Sequence, residues 1–75
     1  MTALSDLLEG QRGRVVSLEN RGSMRRRLQD MGLIEGTEVE CVLKSPAGDP
    51  AAYAIRGALI ALRREDSERI LILPA

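Results

Sequence analysis

The side chains with the most chemistry to offer in this sequence are one thiol, three consecutive arginines and an acidic cluster. Cys41 is the single cysteine, and histidine is absent. General base work of the histidine kind is therefore missing, as are the Ser-His and Cys-His pairs that activate a nucleophile. No glycine-rich loop carries the lysine of a phosphate cradle. Metal sites draw on three or four ligands, and Cys41 has no histidine near it. It also falls in phase with Val39 and Leu43, which makes it a core residue. Glu65, Asp66 and Glu68 share a charged run and read as a solvated turn. The chain is thus read as a non-enzyme, with no catalytic residue, no metal ligand and no cofactor site.

Arg25, Arg26 and Arg27 form the sharpest charge run. In the plain reading they are a solvated helix face. In the functional readings they dock an acidic surface or phosphate, and an arginine finger toward a GTPase is chemically open. Eleven basic and eleven acidic residues cancel, so nothing draws the chain to nucleic acid or anionic lipid at long range. Tyr53 is the one aromatic residue. Single-strand binders stack bases on aromatics, and grooves for proline-rich peptides are lined by them. Both functions are poorly served here, and no nucleic-acid partner is expected.

A lone cysteine forms no internal disulfide, and no basic-then-apolar leader opens the chain. Apolar runs such as Ala58 to Leu62 and Ile70 to Pro74 fall far short of the roughly 20 residues that span a bilayer. The expectation is a cytoplasmic protein without direct membrane insertion.

The elements that position these residues follow from periodicity and punctuation. Ser5 to Gly10 reads as a helical turn capped by Ser5. A strand is predicted over Arg14–Leu18. Ser23 is the predicted N-cap of a helix whose apolar stripe is Met24, Leu28 and Met31. Gly32 ends that helix as a left-handed cap, with Leu33 packing back on Leu28. Gly36 supplies a positive φ to a tight turn. The strand Thr37–Lys44 places Thr37, Val39, Cys41 and Leu43 on one face. A loop spans Ser45–Pro50, followed by a strand over Ala51–Arg56 with Tyr53 and Ile55 on one face. Gly57 marks a turn into a strand over Ala58–Leu62. The charged run Arg63–Arg69 suits a helical turn, and Ile70–Leu73 is the last strand, ended by Pro74.

About five antiparallel strands with one or two short helices describe a mainly β protein closing as a small barrel, SH3-like or OB-like. Residues 1–75 make one domain of this size. The predicted core is Val16, Leu28, Val39, Cys41, Leu43, Ile55, Leu62 and Ile72. Ala58–Leu62 and Ile70–Leu73 are apolar on both faces, although a small barrel has one inside. The short helices, a protein partner or a second copy of the chain must cover the outer faces. Leu59 or Ile60, and Leu71 or Leu73, are the candidate anchors, with the outward member of each pair left open by strand register. Together with Arg25, Arg26 and Arg27 they are the candidate partner-binding residues.

The order of these pieces resembles the ferrous iron transport protein A family. The carrying residues are Arg27-Leu28, Met31-Gly32-Leu33, Gly36 and Val39, then the Pro46–Pro50 loop, then Ala54–Arg63 and Ile70–Ile72. Leu4, Leu7 and Gly10, with Gly13, Val15 and Val16, match as well. No single piece is specific; their ordered combination over nearly the whole chain is. The resemblance implies an SH3-like barrel and an accessory role to the large membrane GTPase that imports ferrous iron, with recruitment to the inner face of the membrane through that partner. The Met start and the end at Ala75 point to a free-standing protein. A nucleic-acid-binding or metal-responsive regulatory module is the alternative.

Overall fold

Glycine- and proline-marked turns divide the chain into short segments that are stable only when they pair side by side. The computed structural model describes all 75 residues. The elements are β1 (Thr2–Ala3), a 3-10 turn (Leu4–Asp6), β2 (Arg12–Leu18), α1 (Gly22–Asp30), β3 (Glu38–Lys44), β4 (Ala51–Ile55), β5 (Ala58–Leu62), α2 (Arg64–Ser67) and β6 (Ile70–Pro74). All six strands join one antiparallel sheet in the order β1-β6-β2-β3-β4-β5. The fold is mainly β, with one strand more than the sequence predicts. The extra strand, β1, pairs Thr2 with Ile72 and Ala3 with Leu71. Two residues are too few to display an alternation.

One core cluster unites the sheet with the helix α1. Leu28 is buried, while Met24 and Met31 pack against the cluster from the helix flanks. The helix ends as its sequence predicts. Leu33 N–H donates to Leu28 C=O and Gly32 N–H to Gln29 C=O, both at 3.0 Å, the paired bonds of a Schellman ending. Gly32 has φ +101°. A β-carbon there would also run into the Arg56 side chain. Buried Asn20 ties the entry of α1 to α2 by donating from Nδ2 to Asp66 C=O at 3.0 Å.

Both predicted side-chain caps are corrected. Ser23 lies inside α1, whose preceding residue Arg21 makes no side-chain cap bond. Gly22, at φ +62°, turns the chain into the helix instead. The helical turn near the N-terminus is shorter than expected. Ser5 sits within it, and Ala3 precedes it without a cap bond. Strand ends also differ. The strand β2 starts at Arg12, β6 includes Pro74, and Arg56 leaves β4 to form the next turn.

Two β-bulges correct the predicted core. The β2–β6 register shifts between Val15 and Ser17, and the β3–β4 register shifts between Cys41 and Leu43. A bulge inserts one unpaired residue and resets the inside–outside alternation. Val15 is therefore buried where Val16 was expected, and Val16 is half-buried. Leu43, also placed inside by strict alternation, is 60% exposed. Leu28, Val39, Cys41, Ile55, Leu62 and Ile72 take the core positions predicted for them.

Gly32 and Gly36 (φ +90°) both hold left-handed backbone, but nothing lies within 4 Å of a β-carbon at Gly36. Gly36→Ala should cost about 1 kcal/mol and Gly32→Ala about 2 kcal/mol, the second carrying steric cost as well as backbone strain. Urea unfolding measures both. Adding Arg56→Ala to the Gly32→Ala variant should recover the difference, and equal costs at the two glycines would contradict this account.

Candidate partner-binding surfaces

The candidate surfaces start from what each strand turns outward. In β6, Ile70 and Ile72 are buried, so Leu71 and Leu73 face out; Leu73 is 53% exposed and Leu71 is half-buried. In β5, Leu62 is buried and Ile60 packs partly on the core, so Leu59 is the outward residue, 66% exposed. The register choice left open by the sequence is thus made for both strands.

Leu59 and Leu73 do not form one patch. Across the sheet Leu73 pairs with Arg14, and Arg14 with Glu38. Leu59 pairs with Ala54, Ala54 with Glu40, and Glu40 with Arg12. A charged belt therefore separates the two leucines. Arg12 Nε lies 3.3 Å from Glu40 Oε1, an exposed pair of little energetic weight. An open groove of about 630 Å³ crosses this belt, bounded by the Ile34–Gly36 turn, the outer face of β3 and the Arg56–Gly57 tip.

The bulge in β3 adds a surface that the sequence pattern hid. Leu43 pairs with Ala52, and Ala52 with Ala61. Beside that row lie Ala54 and Leu59. The outer face of β3–β4–β5 thus carries two exposed leucines on a floor of alanines, with Val42, also exposed, at its border. The only hint in sequence is the pair Val42-Leu43, where two apolar residues run together in a strand that otherwise alternates.

The three arginines sit on α1, exposed. Arg25 Nη1 donates to Leu18 C=O and fastens the helix to β2. Arg26 and Arg27 make no ion pair, since Arg12–Glu40 is the single one within 4 Å. They form a second, separate surface.

Cys41 is fully buried. Burial in the apolar core pushes its thiol up, an effect that Lys44 partly offsets and Glu9 and Glu40 add to. A buried neutral thiol is a poor ligand and a poor nucleophile. No three His, Cys, Asp or Glu side chains come together as a metal site requires. No helix is long and apolar enough to cross a membrane.

Residues 2–74 match the FeoA domain family. The chain belongs to this family. It is 37% identical over 67 residues to a Porphyromonas gingivalis Fe(2+) transport protein A/Fe(2+) transporter FeoB fusion protein, a match covering 89% of this chain and 8% of that protein's length. The solution structure of FeoA from Chlorobium tepidum superposes with a TM-score of 0.92 at 34% identity, over 97% of this chain and 70% of that one. The crystal structure of Stenotrophomonas maltophilia FeoA, described as a procaryotic SH3 domain protein and complexed with zinc, has a TM-score of 0.85 at 28% identity, over 96% and 89% of the two chains. The barrel is accordingly SH3-like, and the family is one of Fe(2+) transport.

Burial also raises the Tyr53 hydroxyl, against a lowering by its bond with Ser67. An unfolded thiol ionises near pH ~8.5 and an unfolded tyrosine near pH ~10. Above each value the unfolded chain sheds a proton that the folded chain keeps. This stabilisation is therefore complete below pH ~8.5 and is lost as pH rises toward the folded values. Urea unfolding at pH ~7 and ~9.5 should show a decline that Cys41→Val largely removes. An unchanged decline in that variant would contradict a buried thiol.

Proposed function

We propose that this chain is a non-enzymatic accessory protein of ferrous iron uptake, acting in the cytoplasm by docking on the membrane ferrous iron transporter and its GTPase domain. The observation that carries this reading is the P. gingivalis relative, in which a region matching this chain is joined to transporter FeoB in one polypeptide. Joining two modules makes their encounter intramolecular and raises the effective concentration of each for the other. A module that engages such a transporter, tethered or not, needs a surface to hold it there. Recruitment to the inner face of the membrane follows from such docking.

The apolar outer face around Leu59 is the source of affinity in this reading, and Arg26 and Arg27 are the source of steering. Interface centres are apolar, whereas exposed charges act mainly on the association rate. Leu71 is a weaker anchor because its neighbours half cover it.

Leu59→Asp should weaken binding to the cytoplasmic portion of the transporter by about thirtyfold, the scale of one interface hot spot. Arg26→Glu combined with Arg27→Glu should slow association several-fold at low salt and flatten its salt dependence. Both variants should keep the parent's circular dichroism, since neither site is buried. Parent-like binding by both would place the docking surface elsewhere.

A further inference from the structure

Strand β5 ends the sheet, and its backbone along that edge has no partner. The turn that precedes it has two residues, Arg56 and Gly57, at φ +50° and +84°. A hairpin of this kind closes with a hydrogen-bonded pair, here Ile55 and Ala58. Alternation along an antiparallel ladder then directs the N–H and C=O groups of Ala58, Ile60 and Leu62 toward β4. Those of Leu59 and Ala61 point away from the sheet. No backbone bond outside the ladders and no side-chain bond reaches residues 58–62.

Protein edges are usually blunted by charge, proline or a bulge. The residues Ala58-Leu59-Ile60-Ala61-Leu62 contain none of these. The side chains of Leu59 and Ala61 face outward on the apolar shelf that continues to Ala52, Ala54 and Leu43. Exposed arginines stand at either end: Arg56 before the strand, and Arg63 and Arg64 after it.

We propose that β5 is a strand-addition site that binds an extended apolar segment with acidic residues at its ends, supplied by a partner protein. This rests on the docking reading above and names the chemistry of the docked segment. Free backbone donors and acceptors call for extended backbone, the shelf takes alternate apolar side chains, and the flanking guanidiniums take carboxylates. A second copy of the chain fits less well. Antiparallel pairing of two β5 strands would bring Arg63 and Arg64 to the turn carrying Arg56, and parallel pairing would set Arg63 beside its own copy.

The probe is a blocked peptide of alternating valine and threonine with glutamates at both ends, titrated into isotope-labelled protein. The Leu59 and Ala61 amide signals should shift most. The same peptide with lysine ends should bind about tenfold more weakly. Ala61→Pro removes an outward N–H while sparing the β4 ladder, and should lose binding by about tenfold or more. Arg63→Glu should narrow the preference for glutamate over lysine ends, which keeps the test decisive if Ala61→Pro does not fold. Absence of binding, indifference to the end charges, or parent-like binding by folded Ala61→Pro would overturn the proposal. So would a sedimentation result in which the parent pairs with itself through β5 and Ala61→Pro is monomeric. The peptide assay contains no transporter, so its failure leaves the transporter binding described above separately testable.

Discussion

A chain of 75 residues curls one six-stranded sheet, SH3-like and open at β5, around a single core, and such a sheet buries one face of each strand and no more. Everything else in the molecule follows from how the strands divide their apolar residues between that inside and the outside. Small domains bury a modest share of their surface, so a core position is scarce. The bulge between Cys41 and Leu43 assigns the scarce positions in β3, keeping Val39 and Cys41 in and turning Leu43 out. The bulge between Val15 and Ser17 does the same in β2. Without the first bulge, Leu43 would face the core and the outer shelf of β3–β4–β5 would lose one of its two leucines.

The core and the outer shelf are therefore two results of one arrangement. Inside, Tyr53, Ile55 and Leu62 of the β4–β5 hairpin meet Leu28 and Leu33 from the end of α1 within a single cluster. Outside, the same hairpin shows Ala52, Ala54, Leu59 and Ala61. The small alanines leave a level floor on which an extended chain can lie. The left-handed Gly32 and the two-residue turn at Arg56–Gly57 meet on the flank of this hairpin, where the Arg56 side chain lies across the glycine. No three His, Cys, Asp or Glu side chains converge in this fold, and the proposed role rests on the outer surface.

Much of the fold is legible in the sequence because its signals are local. The Schellman ending at Gly32, the turn at Gly57 and the charged turn before Ile70 each depend on a few neighbouring residues. Leu28, Val39, Ile55 and Ile72 are core by periodicity alone. What escapes is non-local. Bulges arise from pairing with a neighbouring strand, so strict alternation puts Leu43 inside and favours Val16 over Val15 as the core residue. The strand β1 exists only because β6 offers an edge to Thr2 and Ala3. Ser23 has the chemistry of a cap, but Gly22 turns the chain first. The candidate surface is partly legible: the sequence offers Leu59 or Ile60, and Leu71 or Leu73, without a register, while Leu43 is hidden inside the predicted core. The separation of Leu59 from Leu73 by the Arg12, Arg14, Glu38 and Glu40 belt needed the sheet order.

In the proposed function, this protein docks through the edge and outer face of β5. Amide hydrogen exchange, recorded for the free chain and for its mixture with the cytoplasmic portion of the transporter, reads that claim directly. The Leu59 and Ala61 amides face solvent and should exchange quickly in the free protein, on the fast side of their β4-bonded neighbours. On adding the partner their exchange should slow more than that of any amide in α1. Slowing confined to α1, or exchange at Leu59 and Ala61 unchanged in a mixture that has formed the complex, would contradict the account.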